Sequence, residues 1–167
     1  MKKAYAIFII VVLMFAVAGN VLGEEMAKKG SVSGKMYASG TSKMLAMGQE
    51  RVQMNYECSG ITIDDSGKGL IHNAAFYAVG SSHAIKGNFE DSGFTVFTPP
   101  DGDKIYGTYK CSGTFGKPVE GTWTYVGGTG KYEGIEGSGE FTRYPLQNAA
   151  EAVWTSLTVT KGNYKLP

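Results

Sequence analysis

The chain is poor in the residues that hold metals or attack substrates. It has two histidines and two cysteines in 167 residues. None falls in a Cys-x-x-Cys, His-x-His or His-Glu-x-x-His spacing, so no metal site is read, and no c-type haem motif occurs. No Gly-x-Ser-x-Gly elbow, Walker loop or dinucleotide fingerprint stands, which leaves no expected cofactor. Charge is sparse and balanced, at a formal +1 for the full chain. No basic block follows Lys28-Lys29, so nucleic acid and anionic membrane surfaces are poor partners. Helical periodicity is missing from every long stretch.

One apolar run is present, at the N-terminus. Lys2 and Lys3 precede Ala4 to Ala18, with small residues after it. That order is the pattern of a cleaved signal peptide, with cleavage after Gly23 or Ala18. A spanning helix needs about 20 apolar residues, so a lasting membrane anchor is not expected. The reading is a signal peptide over 1–23, a flexible leader over 24–30 and one domain over 31–167. Lys2 and Lys3 are the only charges among the first 23 residues, so the mature chain carries about −1. A periplasmic or secreted bacterial protein follows from the short Lys-Lys leader. The remaining chain is long enough to bury roughly two-thirds of its unfolded surface without a metal or disulfide.

From Ser31 onward, short alternating segments are punctuated by turns. Eight strands are predicted, near 31–39, 43–47, 50–63, 69–79, 83–97, 103–113, 119–126 (with 137–144 as its partner) and 152–161. The 83–97 segment has candidate breaks at Gly87 and Gly93. Val52, Met54, Tyr56 and Cys58 share a face. A parity change to Ile61 and Ile63 predicts a bulge at Ser59-Gly60. Residues 145–151 are the one place for a short helical turn. Short strands with short turns point to an all-β, eight-stranded antiparallel up-and-down barrel, lipocalin-like in architecture, whose closure removes exposed edges.

Glycine, in contrast, is abundant at 24 residues. Six of the thirteen positions 127–139 are glycine: Gly127, Gly128, Gly130, Gly134, Gly137 and Gly139. The first five mark a tight corner between two strands. This Gly-Gly-Thr-Gly-Lys-Tyr-Glu-Gly-Ile-Glu-Gly run resembles the corner between late strands in the allene oxide cyclase and dirigent-protein superfamily. The likeness is strongest over Gly121–Phe141. Lipocalin-like and avidin-like barrels compete, but their Gly-x-Trp signature lies on the first strand, whereas Gly121-Thr122-Trp123 lies late. The resemblance implies a barrel that holds hydrophobic small molecules, in some members guiding a cofactor-free cyclisation or coupling. Plant members are commonly trimers, so a homo-oligomer, trimer or dimer, is implied. The superfamily's catalytic carboxylates and arginines have no residue-by-residue match here.

Cys58 and Cys111 each sit in a Tyr-x-Cys-Ser-Gly context. An even cysteine count in an exported chain favours a disulfide, which would close a loop of about 50 residues. Two buried free thiols lining a cavity are the rival. The aromatic residues are numerous, with ten tyrosines, eight phenylalanines and two tryptophans. They either fill a core or line a ligand cavity. The candidate ligand wall is Met54, Tyr56, Phe76, Tyr109, Trp123 and Trp154. Glu57, His72 and Tyr109 are the candidate acid–base groups. Three functions remain open: an exported barrel binding a small hydrophobic or aromatic ligand, a cofactor-free cyclase or isomerase, and a structural barrel acting through oligomer contacts.

Overall fold

A computed structural model describes residues 27–167. The proposed signal peptide and residues 24–26 of the leader lie outside the described residues, while Lys29 and Gly30, expected in the leader, already belong to the first strand. Eight strands run in chain order: β1 (Lys29–Ala46), β2 (Arg51–Asp64), β3 (Ala75–Ile85), β4 (Asn88–Thr98), β5 (Ile105–Thr114), β6 (Val119–Gly128), β7 (Glu136–Ala150) and β8 (Val153–Lys165). Each pairs antiparallel with the next, and β1 pairs with β8, which closes the barrel. The expected architecture is therefore present.

Several local expectations fail, each for a visible reason. The segments 31–39 and 43–47 are one strand, because β1 bridges β8 on one side and β2 on the other. The 83–97 segment does break at its candidate Gly87, in the turn Lys86-Gly87 where both residues have positive φ, and runs unbroken through Gly93. Residues 65–74 form a loop, so the strand expected from 69 starts at Ala75. No helical turn occupies 145–151, since β7 continues to Ala150 against β8. No bulge occurs at Ser59-Gly60. Register runs unbroken there against both neighbours, with Gly60 opposite Phe76. Ile61 and Ile63 point outward, 44% and 37% exposed, while Thr62 points in. A register shift lies instead between Tyr106 and Gly107, opposite the start of the glycine corner.

The two barrel ends differ. At one end, three chain segments form a plug. Leu70, Ile71 and Ala74 come from the β2–β3 loop, Tyr132 and Ile135 from the β6–β7 corner, and Leu166 from the C-terminus; all are buried. The Leu166 N–H donates to the Lys28 carbonyl at 2.7 Å, which ties the chain's end to the barrel's start. The Thr62 N–H donates to the Ala74 carbonyl at 3.0 Å, anchoring the loop to β2. The corner itself is one turn of 3-10 helix, Gly130–Tyr132, and Gly130 and Gly134 take φ of 54° and 71°. A side chain is strained at such angles, so these glycines are required by the backbone. The opposite end has four short hairpin turns, at 47–50, 86–87, 115–118 and 151–152.

Inside the wall, large rings face bare positions. Tyr56 lies directly opposite Gly80, Phe76 opposite Gly60, and Tyr109 opposite Gly93. Trp123 faces Gly139, Tyr125 faces Gly137, and Phe141 faces Gly121. Trp154 and Tyr164 face Gly40 and Gly30. In each pair a methyl group on the glycine would land on the ring. An eight-stranded barrel is only just wide enough for its interior side chains, so each ring needs an empty neighbour to lie against.

The Lys86-Gly87 turn supplies a test. Positive φ at both central residues defines a type I′ hairpin turn, for which Asn-Gly is preferred. Lys86 has φ of 52°, and its ion pair with Glu50 is largely solvent-exposed. Lys86→Asn is expected to raise stability by about 0.5–1 kcal/mol, read as a higher midpoint in denaturant titration. An unchanged or lower midpoint would count against this turn geometry.

Candidate functional site

Period-two alternation on four strands carries Tyr56, Asp91, Tyr109, Cys111 and Arg143 to the barrel interior, where side chains from strands that are not all neighbours meet. Tyr56 is on β2, Asp91 on β4, Tyr109 and Cys111 on β5, and Arg143 on β7. Asp91 is the centre. Its side chain is 3% exposed and accepts from Tyr56 Oη at 2.7 and 2.9 Å and from Arg143 Nη1 at 2.9 Å. The Cys111 thiol donates weakly to it at 3.5 Å. Tyr56 and Tyr109 hydroxyls are 2.6 Å apart. A phenol has one proton, and that of Tyr56 is given to the carboxylate. Tyr109 is therefore the donor to Tyr56, and the chain runs Tyr109 to Tyr56 to Asp91.

Arg143 is held from three sides. Its guanidinium meets Asp91 and lies 5.4 Å from the ring centres of both Tyr109 and Phe141. Burial alone would lower its pKa, but the acidic groups around it more than offset that and keep it charged. Burial, then the neighbouring Tyr109 and Asp91, pushes Tyr56 far above the ordinary phenol range. Burial does the same for Tyr109. Both hydroxyls therefore act as protonated donors at neutral pH. Gly80 and Gly93 are cross-strand neighbours, and their bare backbone makes the niche in which the two hydroxyls meet.

Beside this polar group is an apolar cavity of about 80 Å³. Its wall includes Met36, Phe76, Phe97, Trp123, Tyr125 and Trp154, with Tyr56, Tyr109 and Arg143 on one side. Phe97 packs edge-on against Tyr125, and Tyr56 edge-on against Trp154, at centroid distances of 6.4 and 5.7 Å. The buried indole Nε1–H of Trp123 has no acceptor among the described residues.

The residues singled out from sequence divide clearly. Tyr56, Phe76, Tyr109, Trp123 and Trp154 all line the cavity. Met54 is half-buried on the β2 row beyond Tyr56 and does not line it. Glu57 points outward and accepts from the Tyr77 hydroxyl at 2.5 Å. His72 sits in the plugging loop, its Nδ1 buried without a partner among the described residues. Gly127, Gly128, Gly130, Gly134 and Gly137 surround the β6–β7 corner. Among the described residues, no three His, Cys, Asp or Glu side chains are grouped to hold a metal ion.

The expected disulfide is corrected. Cys58 on β2 and Cys111 on β5 are both free and buried. Two whole strands, β3 and β4, stand between them, and each thiol occupies its own strand's inward position. Bridging needs Cα atoms about 4.4–6.8 Å apart, which that spacing does not give. Burial is the main cause raising the thiols, to about 11 for Cys58 and about 12 for Cys111.

Asp91 and Arg143 were not picked out from sequence as functional residues. Alternation carried the signal. Asp91 shares parity with Phe89, Thr95 and Phe97, and Arg143 with Phe141, all inward. A charge on an apolar face is costly unless paired, which marks both. With the site described, comparison with models of known protein families gives no match, and comparison with curated proteins gives none.

Two outcomes are expected from this geometry. Reduction should leave the mass of the purified protein unchanged. Both thiols should react at least about 100-fold more slowly than free cysteine near pH 8, until denaturant is added. The folded thiols keep protons that the unfolded chain releases near pH 9, so their contribution to stability is full below that pH. It is lost as pH rises toward 11–12. A mass gain on reduction or fast native labelling would contradict this. Second, Arg143→Met should cost more than Asp91→Asn. Arg143 is 25% exposed and can regain water, whereas Asp91 at 3% cannot. A loss of about 2–3 kcal/mol is expected for Arg143→Met, below the full cost of orphaning a wholly buried pair. The reverse order in chemical denaturation would contradict the burial argument.

Proposed function

We propose that the barrel is an exported carrier of a small, largely apolar or aromatic molecule, held in its interior. The observation that carries this reading is the cavity: aromatic and apolar on most sides, with the Tyr109–Tyr56–Asp91–Arg143 group on one. A dominant apolar lining with a few convergent polar groups is the usual composition of a small-molecule site. The glycine corner's resemblance to the allene oxide cyclase and dirigent superfamily supports the same reading, as does the N-terminal pattern of a signal peptide. The cavity volume limits the ligand. An engineered apolar cavity of about 150 Å³ takes up benzene, so a cavity half that size fits a smaller body unless a wall side chain turns. Met36 and Trp154 are among the wall groups that are only partly buried.

A second reading is a cofactor-free isomerase or cyclase, favoured by the directed hydroxyl chain. Tyr109 holds a proton at the cavity wall, backed by Tyr56 and Asp91. Deuterium uptake from heavy water into a bound ligand, lost in Tyr109→Phe, would establish it. Unchanged uptake in that variant would remove Tyr109 from the chemistry.

The carrier reading is tested by native mass spectrometry of protein purified from its own source, alongside Ala78→Leu. Ala78 lines the cavity, and added methyl groups there should fill it. The wild type is expected to carry or take up a small apolar molecule. The variant should lose that uptake while its melting temperature falls by only a few degrees. No uptake by the wild type, or equal uptake by a folded Ala78→Leu, would contradict the reading.

A further inference from the structure

We infer that the outer wall around β2 is the contact face of a two-fold dimer, and that its occupant is a second copy of this chain. This does not depend on what the interior holds. It starts from apolar side chains turned to the outside. Tyr37, Ile61, Ile63, Tyr77, Val79 and Phe94 are all exposed, Phe94 at 65%. The strand registers make them one belt. Tyr37 lies directly opposite Ile61, and Val79 directly opposite Phe94. Ile61 and Ile63 share the outer face of β2, as Tyr77 and Val79 share that of β3. Tyr77 sits diagonally from Ile61, whose direct partner is Ala75. The outward positions between them, Ser59 and Ala75, carry no charge. Together the six side chains leave roughly 500 Å² uncovered, near the upper end for the largest patch of a monomer. A standard interface takes about 800 Å² from each partner, which the belt reaches with its serine, threonine and charged border.

Charge selects the occupant. Lys35 lies directly opposite Ile63, and Glu57 directly opposite Val79. One cation and one anion therefore border the belt on its two sides. Both are exposed, and neither forms an ion pair with a described residue. Glu57 accepts only the Tyr77 hydroxyl. The two charges stand on adjacent strands, about 20 Å apart along them at the usual rise of a strand. The middle of that span is Gly60 on β2, opposite Ala38 on β1. Let two copies meet face to face about a two-fold axis that lies in the contact plane and crosses β2 at Gly60. Their borders are then exchanged, and Lys35 of each copy comes beside Glu57 of the other. The contact is made twice, as an isologous interface requires. An axis along the strands would instead bring lysine to lysine and glutamate to glutamate, which costs affinity. The belt thus carries both its own apolar complement and its own counter-charges.

The test is sedimentation velocity of the purified protein between about 1 and 100 µM. The wild type is compared with Lys35→Glu, Glu57→Lys and the double exchange. Glu120→Lys serves as the control, since β6 stands across the closed barrel from β2 and Glu120 is exposed there. A dimer that dissociates on dilution is expected for the wild type and the control. Each single reversal should weaken it about tenfold or more, and the double exchange should restore it to within about threefold. A monomer across the whole range overturns the inference, and that readout needs no variant to fold. If such a monomer instead binds phosphatidylcholine vesicles, the belt belongs to a lipid surface. A species larger than a dimer overturns the two-fold arrangement. A dimer that neither single reversal weakens, or that the double exchange fails to restore, shows that Lys35 and Glu57 do not meet and overturns it as well.

Discussion

The pairing of eight large interior rings with glycines on adjacent strands is the constraint on which the rest of the structure depends. Eight strands enclose little room. A barrel with side chains at every inward position and eight large rings among them would be overpacked. The glycines opposite Tyr56, Phe76, Tyr109, Trp123, Tyr125, Phe141, Trp154 and Tyr164 remove that conflict. Around one ring of the wall the sequence in space is Tyr56, Gly80, Gly93, Tyr109, Trp123, Gly139 and Gly162. Its bare stretches fix where the rings lean, and so where the tyrosine hydroxyls meet. The interior is neither a solid core nor an open tube. It is a set of rings laid against backbone, with a small apolar gap left between them.

The polar group follows from that geometry. A buried carboxylate and guanidinium are a liability unless every lone pair and proton finds a partner. Here the Gly80–Gly93 niche lets Tyr56 reach Asp91 with Tyr109 behind it, and the rings of Tyr109 and Phe141 flank Arg143. Hydrogen bonds among these groups run in one direction, toward the carboxylate. Burial keeps the tyrosines protonated, and the Asp91–Arg143 ion pair is why the group presents no net charge to the cavity. Apolar gap and neutral ion pair are two sides of one cavity.

Much of the fold was legible in the sequence, because a barrel writes itself as period-two alternation with turn residues. The glycine corner was legible too, since Gly130 and Gly134 need φ values that other residues avoid. What failed was inference from hydrophobicity to direction. Ile61 and Ile63 looked like core and point to solvent, while Thr62 between them is buried. The outer face of this barrel carries apolar residues of its own, so parity cannot be assigned from one strand alone. The cysteine reading failed because an even count says nothing about how many strands stand between two thiols. Asp91 gives no signal of its own, since aspartate beside glycine and serine is common in turns. Its role emerges only when Arg143, more than fifty residues later in the chain, folds onto it.

The most direct measurement is the unfolding free energy of Gly80→Ala, taken in the wild type and in a Tyr56→Leu background. The nearest atoms to a methyl group at Gly80 all belong to the Tyr56 and Tyr109 side chains. If ring-against-glycine packing governs the interior, the alanine should cost about 1–3 kcal/mol in the wild type. Most of that cost should vanish once the Tyr56 ring is gone, giving a coupling of about 1 kcal/mol or more. An equal cost in both backgrounds, or none in the wild type, would contradict the account.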